Sequence, residues 1–305
     1  MKKRGRVLAM KICWLAFVLL FACAPLARAA DRHVAFERDH AAWIVNLDGS
    51  GEKKITAGIF PAISPDGTRI ALTTVEKSGT TYARHIAVAE IATGKITLFK
   101  DVPSDNSYYP VWSPDGKRIL FTLRENEVWD LATIAPDGTE FRFLKKGAQN
   151  EATLYSPAWA RDEESIFCQD MTNIYQISLD GRVLAQWKIE KAIPNGGMNG
   201  DGRITVSPDG KFLLLSIDMG EEHNRRDWDG PPPALWTFEI ATQKVVRITP
   251  KMLFGWDGCW IDSNTILFLS QAEGEKSASL YRMSIDGKNL KRLITDARMP
   301  SVSAP

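Results

Sequence analysis

Pro110-Val111-Trp112-Ser113-Pro114-Asp115-Gly116-Lys117-Arg118-Ile119-Leu120-Phe121 is one copy of a pattern that runs the length of the chain. Close copies are Pro61-Ala62-Ile63-Ser64-Pro65-Asp66-Gly67 and Val206-Ser207-Pro208-Asp209-Gly210. Weaker ones are Pro157-Ala158-Trp159-Ala160, Gly258-Cys259-Trp260-Ile261 and Pro300-Ser301-Val302-Ser303. Marked by the serine or its equivalent, they fall at positions 64, 113, 160, 207, 261 and 303, at intervals of 49, 47, 47, 54 and 42 residues. Periods of this length belong to propellers and solenoids.

The motif has the chemistry of a turn. Proline is pre-set for the first central position, aspartate bonds its own backbone, and glycine supplies positive φ. Apolar runs such as Arg69-Ile70-Ala71-Leu72 and Phe212-Leu213-Leu214-Leu215 follow it, so each copy reads as strand, turn, strand. Extending outward, the first full repeat places strands at 61–64, 69–75, 85–90 and 95–99. Later repeats span 110–144, 157–189, 203–248 and 258–294, with further turns at Asp137-Gly138, Asp180-Gly181 and Asp286-Gly287. Four strands per repeat and no helical period predict an all-β propeller of four-stranded antiparallel blades.

Before the first repeat, 33–36, 42–47 and 53–56 supply three strands, while 300–305 supplies one. Aligned on the repeat, they complete each other. A sixth blade closed by strands from both ends is therefore expected, which hides the edges of the ring.

The first 29 residues stand apart. Lys2, Lys3, Arg4, Arg6 and Lys11 precede an apolar run from Ile12 to Phe21 and then Ala27-Arg28-Ala29, the layout of a secretory signal peptide. The expected organisation is thus a leader at 1–29 and a propeller at 30–305. The run is too short for a membrane span. Leu20-Phe21-Ala22-Cys23 offers the alternative of lipid tethering through Cys23. Cleavage after Ala29 would leave 32 basic against 37 acidic residues, a net charge near −5 that excludes a nucleic-acid footprint. Cys168 and Cys259 lie in apolar contexts of non-adjacent repeats and are read as buried thiols.

Ser-Pro-Asp-Gly turns, the Asn46-Leu47-Asp48-Gly49-Ser50-Gly51 turn followed by Ile55-Thr56, and six blades together resemble the TolB family of periplasmic propellers over residues 31–305. TolB carries an α/β domain ahead of its propeller. Here the first propeller strand follows the leader directly. The resemblance implies a periplasmic or secreted, non-catalytic monomer that binds an envelope protein or peptide. Similar repeats in prolyl peptidases and oligogalacturonate lyases keep an enzyme or carbohydrate-binding protein as the alternative.

In a four-stranded blade the first and third loops share one face, so the short turns all crowd one rim. The long segments 100–109, 145–155, 191–202, 218–233 and 251–257 fall on the other. Binding belongs on long loops over a rigid scaffold. The candidate partner-binding residues there are Tyr108, Tyr109, Tyr155, His223, Arg225, Arg226, Trp228, Phe254 and Trp256, since aromatic and arginine side chains anchor interfaces. His40, His85 and His223 do not converge as zinc ligands must. Calcium through Asn199, Asp201, Asp227 or Asp229 lacks the regular loop spacing, so no cofactor or metal is expected. There is no Gly-x-Ser-x-Gly elbow, phosphate loop or dinucleotide fingerprint, and no catalytic residue is assigned.

Overall fold

The turn motif closes on itself in the computed structural model, which describes residues 32–125, 127–145, 153–220, 222 and 225–304. In the first full repeat the Ser64 hydroxyl donates to Asp66 Oδ1 (2.5 Å) and accepts from the Arg69 amide (3.0 Å), while Asp66 accepts from the Thr68 amide (3.0 Å). Gly67 takes φ of 70°, as that reversal demands. Ser113-Asp115 and Ser207-Asp209 repeat these bonds. All three serines are fully buried.

The strands run in chain order. β1 (His33–Arg38), β2 (Ala41–Asn46) and β3 (Lys53–Ala57) come first. The next blade is β4 (Ile59–Ile63), β5 (Arg69–Ser78), β6 (Thr81–Glu90) and β7 (Ile96–Leu98). Then come β8 (Ser107–Trp112), β9 (Ile119–Glu125), β10 (Val128–Ile134) and β11 (Arg142–Lys145). The following blade is β12 (Tyr155–Trp159), β13 (Ser165–Gln169), β14 (Asn173–Ser178) and β15 (Val183–Lys188), trailed by the single helical turn α1 (Ile189–Ala192). β16 (Gly196–Gly197), β17 (Ile204–Val206), β18 (Phe212–Met219), β19 (Pro233–Glu239) and β20 (Val245–Arg247) form the next sheet. β21 (Trp256–Asp262), β22 (Thr265–Ser270), β23 (Ser279–Ser284), β24 (Lys291–Thr295) and β25 (Arg298–Val302) end the chain.

These pair as six antiparallel sheets, a six-bladed β-propeller. The closing blade has the order β25-β1-β2-β3, with Val34 opposite Val302. Further bonds seal it: the Ser303 amide to the His33 carbonyl (3.2 Å), and Arg32 to the carbonyls of Ser303 (3.0 Å) and Ile261 (2.6 Å).

Two details depart from the expected pattern. One sheet has five strands, because both β16 and β17 pair with β18 and the stretch between them leaves the ladder. The β5–β6 hairpin stays paired from Arg69↔Glu90 to Ser78↔Thr81, where a loop was expected between 75 and 85. Its projecting part is polar, and Tyr82 is flanked by the cations Lys77 (5.7 Å) and Arg84 (5.4 Å), which keeps the ribbon together beyond the sheet.

Blades are joined by apolar clusters and by the aromatic before the motif. The Trp112 indole donates to the Ala62 carbonyl (2.8 Å), Trp159 to Val111 (3.2 Å) and Trp260 to Thr205 (3.3 Å), each reaching back one blade. Arg69 covers Trp112 at 4.7 Å and Arg118 covers Trp159 at 5.1 Å. Cys168 and Cys259 are buried and unbridged, and burial pushes the Cys259 thiol up to about 12. Among the described residues no helix is long and apolar enough to cross a membrane. The expected signal peptide at 1–29, with Cys23, lies outside the described residues.

Candidate functional site: the loop rim and channel mouth

Each inner strand enters the channel from the long-loop rim and leaves it at the turn rim. Just inside the loop rim, four residues before each motif serine or its equivalent, stand Phe60, Tyr109, Ser156, Arg203, Asp257 and Met299, one from each blade. Five of the six take left-handed backbone: Phe60 and Tyr109 at φ 54°, Ser156 at 52°, Asp257 at 50° and Met299 at 47°. Such backbone costs about 1 kcal/mol or more per non-glycine residue.

The following residue is proline in four of these five, and the strand register slips at the same point, between Ile59 and Ala62, Tyr108 and Val111, Tyr155 and Ala158, and Trp256 and Cys259. These are β-bulges that leave two residues out of the ladder, and proline suits such a place because it has no N–H to leave unpaired. Where proline is replaced, Gly258 packs closely against the neighbouring blade: an added Cβ would meet Leu214 Cδ2 at 2.5 Å. The six residues surround a constriction of about 30 Å³.

Two wider cavities open above it. One, of about 370 Å³, is lined by Phe60, Tyr108, Tyr109, Trp129, Tyr155 and Asp201, among others. Its rings pack in a chain: Phe60 to Tyr109 (4.2 Å), Phe60 to Tyr108 (5.8 Å) and Tyr108 to Trp129 (5.5 Å). The other, about 350 Å³, is lined by Trp228, Trp256, Asn199, Asp218, Asp257 and Arg298, among others. Asp201 and Met299 line both, so the cavities share a wall. A separate hollow of about 180 Å³ occupies the turn side of the channel, with Trp112, Trp159 and Trp260 in its wall.

Asp201 reaches the axis because its segment leaves the ladder between β16 and β17. Its Oδ1 accepts from the Tyr109 hydroxyl (2.5 Å), and burial together with this bond raises the Tyr109 phenol far above its ordinary value. Asp257 is buried. Desolvation pushes its carboxyl up to about 6, opposed by Arg203 and reinforced by Asp201 and Glu37. Arg203 is held by the Pro300 carbonyl (2.5 Å). Burial also raises the Asp218 carboxyl, against a bond from Asn199 Nδ2 (3.0 Å).

Of the residues singled out from sequence, Tyr108, Tyr109 and Tyr155 line the first cavity and Trp228 and Trp256 the second, so these five share one rim. Phe254 and Arg225 are buried beneath Trp228 instead. Phe254 meets Trp228 at 5.4 Å, and the Arg225 guanidinium lies 4.5 Å from the Phe254 ring and donates to the Gln271 carbonyl (2.6 Å). Arg226 is exposed. His223 lies outside the described residues. Sequence reasoning missed Phe60, Trp129, Asp201, Arg203, Asp257 and Met299. For four of the ring positions a signal existed, the residue-proline pair recurring four places before the motif serine.

No family model matches the chain. Over an alignment of 147 positions that covers 43% of the chain, it is 34% identical to the Tol-Pal system protein TolB of Anaeromyxobacter dehalogenans strain 2CP-C. The chain spans 30% of the length of that relative. The crystal structure of TolB from Acinetobacter baumannii superposes with a TM-score of 0.66 at 20% identity, over 90% of this chain and 67% of that one. A chain of a nidogen/laminin complex superposes with a TM-score of 0.64 at 12% identity, over 89% of this chain and 98% of that one. With its repeated turns, its blade count and these likenesses taken together, the chain is a TolB-like β-propeller.

Proposed function

We infer that the protein is an exported, non-catalytic propeller that binds an envelope protein or peptide at its loop rim and channel mouth. The observation that carries this reading is the pair of aromatic-walled cavities sharing Asp201 and Met299 at one rim, opposite a rim of self-bonded turns. Concave aromatic surfaces on a rigid frame are what peptide anchors need. The likeness to a Tol-Pal system protein supports a partner in the cell envelope, and the leader-like residues 1–29 support export. Among the described residues no group of three or more histidines, cysteines or carboxylates is gathered in the way a metal-dependent lyase would need.

A photo-crosslinking residue placed at position 155 or 228 in cells tests this directly. The expected result is a protein adduct of defined mass from both positions and none from position 117, in a turn of the opposite rim. Adducts from all three positions alike, or from 117 alone, would overturn the reading.

A further inference from the structure

We propose that the cavity walled by Phe60, Tyr108, Tyr109, Trp129 and Tyr155 is a cation-selective pocket that takes an arginine or lysine side chain of the bound partner. The proposal rests on the partner-binding reading above and gives it a chemical specificity. Aromatic faces are electronegative and attract a guanidinium or ammonium. The single charged group lining this cavity is the Asp201 carboxylate, which is solvent-exposed, and no lysine, arginine or histidine lines it among the described residues. A volume of about 370 Å³ is ample for the end of one long side chain.

The molecule supplies its own precedents. At the neighbouring aromatic cluster on the same rim, Arg225 of this chain sits 4.5 Å from the Phe254 ring and 5.8 Å from the Trp228 ring, with Asp227 Oδ1 3.2 Å from its Nε. That is an arginine between aromatic faces and paired with a carboxylate. The Phe60–Tyr155 cavity has the faces and the carboxylate but no arginine of its own. Three cations near its walls are engaged elsewhere: Arg84 stacks on Tyr108 at 5.4 Å without lining the cavity, Arg124, opposite Trp129, is paired with Glu127, and Arg203 lies deeper, bonded to the Pro300 carbonyl. Asp257, in the constriction below the cavity, adds to its negative potential when ionised. An anionic ligand would face these carboxylates, and a neutral one would leave Asp201 without a counter-charge.

The test uses two acetylated tripeptide amides, Gly-Arg-Gly and Gly-citrulline-Gly, which differ by charge at nearly constant shape. Titrated into the full chain and followed by tryptophan fluorescence and calorimetry, the arginine peptide should bind at least about tenfold more tightly than its citrulline partner. The preference should shrink with added salt. Asp201→Asn, at an exposed position where the melt should not change, should cost about tenfold. Trp129→Leu, with an unchanged circular dichroism spectrum as its control, should cost about as much. Equal binding of the two peptides, absence of binding by both, or tighter binding of a neutral oligosaccharide would overturn the proposal. If the crosslinks at 155 and 228 persisted in that case, partner binding would stand and only the cation pocket would fall. If the arginine peptide bound as expected but no crosslink formed, the pocket would stand and the partner reading would fall.

Discussion

The motif aspartates of the turn rim and two buried aspartates of the loop rim are treated in opposite ways. On the turn rim, burial alone would raise the carboxyls of Asp66, Asp115 and Asp209. The bonds they accept from the motif serine and the backbone two residues on outweigh it and hold all three below the ordinary carboxylate range. On the loop rim, Asp218 and Asp257 are desolvated without comparable compensation and are held above that range. One rim has spent its polar groups on itself, and the other keeps them reactive towards something else. Repetition is therefore a mark of structure in this molecule, and function concentrates where the repeat is broken.

The comparison can be broken most severely at the closing blade. Removing residues 298–305 strips β25 from β1 and should consume much of the roughly 5–15 kcal/mol of net stability of such a fold. A denaturant midpoint equal to that of the full chain would refute the closure. Next in size is Trp112→Ala, which loses a buried indole and its bond to the Ala62 carbonyl and should cost about 3–5 kcal/mol. Because this acts from the turn side, crosslinking at 155 should survive wherever the variant remains folded.

Asp257 gives a smaller effect with a definite sign. Its carboxyl titrates near 6 when folded, against about 4 in an unfolded chain, so between these values the folded state keeps a proton that the unfolded state has released. Stability therefore falls as pH rises from about 4 to about 6, by about 3 kcal/mol in all. Asp257→Asn should flatten that part of the curve and be the more stable protein at neutral pH, as thermal melts across the range would show. A pH slope unchanged by the substitution would mean that the buried carboxyl pays no desolvation penalty. The smallest expected stability effect is that of Trp228→Ala, about 1 kcal/mol, since the ring is half-buried over Phe254. If the rims divide their labour as described, this variant should lose the crosslink at 155 or weaken it strongly while melting almost normally.

The blades, their number and the closing strand were legible because each depends on a local, repeated signal: turn chemistry at Ser-Pro-Asp-Gly and the apolar runs around it. The candidate site was legible only in outline. Tyr108, Tyr109, Tyr155, Trp228 and Trp256 announce themselves as aromatics in loops or at strand starts. Phe254 and Arg225 look the same on paper, but Trp228 covers them. Asp257 lies within a strand, where pattern reading assigns a side chain to one face or the other and does not foresee the bulge that turns it into the channel, and Trp129 lies near the start of a regularly paired strand, where nothing local marks it as part of the rim. Asp201 was set aside with the calcium alternatives, because the escape of its segment from the ladder between β16 and β17 is a tertiary event without a local sequence mark.

The closing blade also imposes an order in time. Ser303 bonds a residue 270 positions earlier in the chain, so the hydrogen-bonding edge of β1 has to wait for all the intervening blades to be made before its partner exists. Until then the nascent protein presents an open, largely apolar strand, the kind of edge that recruits other strands. A chain truncated before β25 should therefore keep that edge of β1 open, which a rise in light scattering relative to the full chain would report.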